Sequence, residues 1–254
     1  MSSKNYSFFL LLVSTYLSFL IAQDCCTSSG LLSNYLSPHE EKLELICASI
    51  QVSPGNPTLL PLQMLLKVLP IWYCVTAAWN SKSWLISLGL LLSSFGDAFL
   101  ESVVIVPFGH ANGSKLFVAG LSSFLLAHVL YVIRNISSVR NLKVVRVVLS
   151  SIPISMFAYF YCNLILEHVS ISLHFPIRIY CTVIALMGIS ALAHGDFHGS
   201  VGAGWFIISD SVLSFNKFVR PIRGGKYIVM TTYYLAQYFI AISASSNKSR
   251  KKLD

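Results

Sequence analysis

Eight apolar runs punctuate the chain, at about 6–22, 58–79, 84–104, 116–134, 144–165, 176–194, 201–218 and 227–245. Each approaches the roughly 20 residues that a helix needs to cross a bilayer core. Helix is the expected state of every run, because an open strand leaves its backbone unsatisfied in lipid. The pattern predicts an all-α polytopic membrane protein: eight transmembrane helices around a polar cavity at the bilayer midplane. It divides the chain into a first helix (1–22), an acidic non-cytosolic loop (23–57), a seven-helix core (58–245) and a basic cytosolic tail (246–254). The first run has one lysine before it and Ala22 at its end, which leaves a cleaved signal peptide open. Its length, and Leu20 near the would-be cleavage site, favour a retained helix.

Composition agrees. The 254 residues are 55% hydrophobic and 11% charged, against about 25% charged in a soluble domain. The formal net charge of +8 is not a nucleic-acid signature, since its sources sit in short connections and at the end of the chain. The segment 134–146 carries Arg134, Arg140, Lys143 and Arg146, and the tail carries Lys248, Arg250, Lys251 and Lys252. Both are expected on the cytosolic side. The 23–57 loop, with Asp24, Glu40, Glu41 and Glu44, then faces the other side with the Asn112-Gly113-Ser114 sequon. One connection disagrees: 219–226, with Arg220, Arg223 and Lys226, would also face away from the cytosol. Either the orientation is reversed or that loop serves another purpose, such as meeting a lipid phosphate. Cys74, Cys162 and Cys181 fall within spans as small packing residues. Cys25, Cys26 and Cys47 share the acidic loop, where one disulfide has room to form with no pairing dictated.

The chemistry sits where the apolar runs are interrupted. Lys67, Asp97, His128, Asp210 and Gln237 each fall inside a different run. Such groups are costly in hydrocarbon and ordinarily face a bundle interior or a wet cavity. At 1.5 Å per residue, they lie about 14, 10, 18, 12 and 15 Å below the outer ends of their helices, one shared band. Tyr131 shares a face with His128 (i,i+3), and Tyr233 shares one with Gln237 (i,i+4). Ser209 adjoins Asp210 but diverges from it around the helix. The plainer alternative is structural: a Lys–Asp bridge, with His128 and Gln237 as hydrogen bonds between helices. His194 and His198 are also i,i+4, but they occupy a glycine-containing loop, and no metal site is expected there. No cofactor motif appears.

These interruptions come in recognisable company: "LLKVLP" (65–70), "FGDAFL" (95–100), "AHVLY" (127–131), "FIISDSVLSFNKF" (206–218) and "MTTYYLAQYFIAIS" (230–243). In order and spacing they resemble the lysoplasmalogenase family of multispanning membrane hydrolases. The resemblance implies eight helices and hydrolysis of the vinyl ether bond of lysoplasmalogens, giving a fatty aldehyde and glycerophosphocholine or glycerophosphoethanolamine. It carries over Lys67, Asp97, His128, Tyr131, Ser209, Asp210, Asn216, Lys217, Tyr233, Tyr234 and Gln237. The 23–57 loop and the 194–198 stretch stand outside it.

Vinyl ether hydrolysis passes through an oxocarbenium-like cation, as glycoside hydrolysis does with two carboxyls. Asp97 and Asp210 are therefore the expected catalytic pair, with His128 relaying a proton or orienting water. Lys67 would keep one carboxylate ionised or bind the substrate phosphate. Tyr233 and Gln237 would position the substrate, and Asn216 and Lys217 would meet its headgroup. The expected partners are a lysophospholipid substrate and membrane lipids, with no nucleic acid, and the expected location is the endoplasmic reticulum membrane. A transporter or lipid-binding protein with the same cavity is the alternative, and a metal-dependent membrane hydrolase a third.

Overall fold

The computed structural model describes residues 3–32, 60–103, 111–137 and 144–250. The acidic loop beyond residue 32 with Cys47, the loop residues Arg140 and Lys143, and the last four residues of the tail lie outside the described residues. So do the side chains of Cys25, Cys26 and Asn112. The described chain is all helical: α1 (Ser3–Leu32), α2 (Leu60–Asn80), α3 (Trp84–Ser102), α4 (Ala111–Ser137), α5 (Val144–Leu166), α6 (Ile171–His194), α7 (Phe197–Ser214) and α8 (Gly225–Arg250). A π-helical turn, Phe215–Val219, extends α7. Five of these helices, α2 to α6, are long and apolar enough to cross a membrane, and α1 contains a shorter apolar stretch, Tyr6–Ile21. The protein is a multi-pass membrane protein. Many large apolar side chains on these helices are exposed, Trp79, Leu149, Tyr159, Phe160 and Phe175 among them. Such a surface suits lipid as solvent, not water.

Two compact units divide the chain. One contains residues 1–70 and 95–120, the other residues 71–94 and 121–254. In the first, Gly120 of α4 lies where an added Cβ would come within 3.0 Å of Leu100 and 3.3 Å of the Gly96 carbonyl. A glycine there lets α4 approach α3 closely.

In the second unit, α7 and α8 form the most intimate helix pair. An added Cβ on Gly202 would stand 3.0 Å from the Ala236 carbonyl and 2.8 Å from Ile240, so the two backbones nearly touch. Small residues give van der Waals attraction between membrane helices its reach. A second contact joins α5 to α6 through Cys162, Ile165, Leu166 and Ile177, with Phe218 and Val219 packed against them. Between α6 and α7 the chain stops and restarts within two residues. Gly195 takes φ 74° and returns its N–H to the Ala191 carbonyl, and Asp196 caps α7 by accepting from Gly199 N–H at 2.9 Å.

One expectation is corrected. Arg134 is not a loop cation: α4 continues through it to Ser137, and the side chain is buried, 4% exposed. Its Nη1 donates to Asn135 Oδ1 at 3.0 Å and its Nη2 to the Ser243 carbonyl at 2.8 Å. A guanidinium with such acceptors in reach can leave water, so it is removed from the charges that argue orientation.

Candidate active site

Each unit holds its own polar cluster. In the first, α2 supplies Gln63 and Lys67 and α3 supplies Asp97 and Glu101, each pair one turn apart on its helix. Lys67 Nζ stands 2.9 Å from Glu101 Oε2 and 3.7 Å from Asp97 Oδ1. Gln63 donates to the other Glu101 oxygen. Tyr16 of α1, also buried, feels the charges of all three ionic groups. Opposite charges in such surroundings attract far more strongly than in water, and each carboxylate here has the ammonium in reach. The expected partnership of Lys67 with Asp97 is present. Glu101, the ammonium's nearer partner, is an addition that the i,i+4 step from Asp97 already offered.

The second cluster is built on different physics. His128 on α4 is 0% exposed, and neither ring nitrogen has a hydrogen-bond partner. Rings surround it edge to face: Phe206 at 4.6 Å between centroids, Tyr180 at 5.5 Å and Tyr131 at 6.5 Å. Tyr180 of α6 donates to Asp210 Oδ2 at 2.5 Å. On the other side, Tyr131 donates to Gln237 Oε1 at 3.4 Å, and the Gln237 Nε2 is unpartnered. Asp210, Tyr180, His128, Tyr131 and Gln237 thus form one row drawn from α7, α6, α4 and α8. Phe124 and Tyr233 close its apolar side, with Tyr233 edge-on to Phe206 at 5.6 Å and to Phe124 at 5.9 Å.

The remaining candidates have local engagements. The Ser209 hydroxyl donates to the Val229 carbonyl at 3.1 Å, tying α7 to α8. Tyr234 is buried beside Tyr233, with ring centroids 5.7 Å apart. Asn216 accepts from Ile222 N–H at 2.7 Å and so fixes the turn between α7 and α8. Lys217 lies exposed on the π-helical turn. His194 and His198 do not share a loop as expected: His194 ends α6 and His198 lies in the first turn of α7, where it stacks against Phe239 at 6.3 Å, while Asp196 between them serves as the α7 cap. Among the described residues no three His, Cys, Asp or Glu side chains are grouped to share a metal ion. Tyr180 was not singled out by sequence, because a tyrosine in a span is usually an ordinary packing residue.

Buried polar groups are as a rule hydrogen-bonded, and exceptions call for an explanation. A histidine and an amide left unsatisfied in a ring of aromatics, next to a carboxyl held by a phenol, can accept a polar reactant. Ring contacts, not hydrogen bonds, join His128 to Tyr180 and Tyr131, so a proton would cross the row only through a polar molecule bound there.

Comparison with known proteins gives the arrangement its context. Residues 59–244, which include every candidate residue, match the YhhN family model.

The chain belongs to the YhhN family.

It is 31% identical over 163 residues to the Sus scrofa protein named lysoplasmalogenase TMEM86B, covering 64% of this chain. It is 30% identical over 186 residues to the Homo sapiens protein of that name, covering 71% of this chain and 74% of the relative. To Homo sapiens lysoplasmalogenase TMEM86A it is 28% identical over 173 residues, 64% of this chain and 66% of the relative. The chain spans 64% of the length of the pig relative. No solved structure matches it. The YhhN match begins after α1 and the acidic loop, so the family is defined by α2 to α8.

Proposed function

We propose that the protein is a lysoplasmalogenase of the endoplasmic reticulum membrane. Its substrate is a lysophospholipid with a vinyl ether, and its products are a fatty aldehyde and glycerophosphocholine or glycerophosphoethanolamine. The observation that carries the reading is the unsatisfied His128 in line with Asp210 through Tyr180. Family membership and the names of the relatives supply the substrate class.

The chemistry follows from the row. Asp210 gives a proton to the vinyl carbon β to oxygen, and the electron pair of the double bond forms the new C–H bond. The oxygen-stabilised cation left behind is met by water, whose oxygen bonds to the cationic carbon. One water proton returns to Asp210, with His128 and Tyr180 passing or orienting it. The hemiacetal then breaks its carbon–oxygen bond to glycerol, and its hydroxyl proton ends on the glycerol oxygen. Tyr131, Gln237 and Tyr233 position the polar end of the substrate, and the aromatic wall takes the alkenyl chain. Asp97 is the second carboxyl of the proposal, ion-paired with Lys67.

The test is aldehyde release from a lysoplasmalogen by protein purified in detergent. Asp210→Asn and Asp97→Asn are each expected to lose most activity while remaining folded. Near-normal rates in both would remove the carboxyl mechanism. A wild-type protein that binds the lipid and releases no aldehyde would instead be a carrier.

A further inference from the structure

Hydrolysis needs water among apolar helices, and the same unit contains a place for it. A cavity of about 20 Å³ is lined by Tyr131, Arg134, Asn135, Met187 and Ser243, with Ile86, Ala191, Gly199, Ala203 and Ile240 completing the wall. A single water needs about 10–15 Å³ measured in the same way, and two to four polar partners. The polar side of the wall supplies them. Arg134 Nη1 and Nη2 are engaged, but its Nε has no hydrogen-bond partner and is buried. Asn135 donates to Ser190 at 3.2 Å while accepting from Arg134, so it orients the guanidinium. Asp196 acts electrostatically on the same group.

Position links this cavity to the chemistry. His128, Tyr131 and Asn135 stand at i, i+3 and i+7 of α4, one stripe of the helix. The stripe rises about 10 Å from Asn135, near the end of α4, to His128. Tyr131 belongs to both sites: it lines the cavity and donates to Gln237.

We infer that the Arg134 cavity is the binding site for the water that the hydrolysis consumes, with Arg134 as a positioning residue and Tyr131 as the link to the catalytic row. The inference rests on the proposed hydrolysis, but its first readout does not. Millisecond X-ray radiolysis of the purified protein turns a bound water into hydroxyl radical, which oxidises the side chains beside it. Met187 is 1% exposed and lines the cavity, whereas Met230 is 7% exposed and does not. Met187 is expected to be oxidised faster than Met230, although it is the more buried of the two. Ala191→Val, and independently Ala203→Val, put methyl groups into the cavity without altering a polar group. Each is expected to suppress Met187 oxidation and to lower kcat about tenfold or more with KM unchanged, since only a step after substrate binding is affected. Met187 no faster than Met230 would overturn the site. Suppressed oxidation with an unchanged kcat would make the water structural and overturn its role. An active enzyme with a dry Met187 contradicts this inference alone, whereas a wild type that releases no aldehyde contradicts the proposed function.

Discussion

The two units treat buried polarity in opposite ways. In residues 1–70 and 95–120, Lys67, Asp97, Glu101 and Gln63 are charged or strongly polar, and they satisfy one another. In residues 71–94 and 121–254, His128 and Gln237 keep unpartnered atoms within a wall of aromatics. A closed ionic group gains little from a ligand, because its capacity is already used. An open row carries a standing cost of about 1–3 kcal/mol per unsatisfied group, and that cost is removed when something polar binds. The difference teaches where a reactant is recognised and where a helix pair is held, and the ammonium that ties the pair also fixes Asp97 for the role proposed for it.

The sharpest way to break this contrast is Asp210→Asn. The amide keeps the shape and a hydrogen bond to Tyr180 but has no acidic proton, so activity is expected to fall by about 10²–10⁴, with the thermal melting temperature little changed. Aldehyde release and a melting curve measure both. Lys67→Met attacks the other unit. It leaves Asp97 and Glu101 buried without their cation, and a broken buried pair costs about 3–5 kcal/mol. Unfolding in detergent is expected to show that loss, and Lys67→Met combined with Glu101→Gln to recover part of it. A Lys67→Met protein of normal stability would show that the ionic group is not closed after all.

His128→Phe tests the open row directly. The replacement is of similar size and suits the ring cage of Phe206, Tyr180 and Tyr131. Activity is expected to fall about a hundredfold. Stability is expected to hold or to rise by about 1 kcal/mol, because two unsatisfied nitrogens disappear. Lower stability together with full activity would reverse the assignment and make His128 a structural residue.

Sequence made the spans and the interruptions legible, since twenty apolar residues and a lone charge are both visible in one dimension. Lys67, Asp97, His128, Asp210 and Gln237 stood out for that reason, and the i,i+3 step brought Tyr131 with His128. Glu101 was within reach by the same helical arithmetic but lay near the end of its run, where charge is unremarkable. Arg134 was misplaced for a related reason: a basic residue at the end of an apolar run reads as a loop cation unless its acceptors, the Asn135 amide and the Ser243 carbonyl, are known. Tyr180 had no signal at all, because its importance lies in pointing at Asp210 from another helix. The helices α7 and α8 fall outside the five clear spans. Their glycines, serines and amide are what allow close packing and supply much of the row, so a weaker membrane signal coincides with the densest chemistry.

The smallest predicted effect separates two neighbours on α7. Ser209 and Asp210 are adjacent in sequence, and both belong to the matched motif, yet about 100° of helix divides their directions. Asp210 points to Tyr180, whereas the Ser209 hydroxyl is held by the Val229 carbonyl and is 1% exposed. Ser209→Ala removes one hydrogen bond between α7 and α8 and is expected to cost about 1 kcal/mol of stability. The carbonyl left behind retains its place in the α8 backbone, so the row should keep its geometry and aldehyde release should stay within about twofold of wild type, a change well under 1 kcal/mol. A large loss of activity at unchanged stability would mean that Ser209 turns from Val229 toward the substrate during the reaction, and the open row would then extend one residue further along α7.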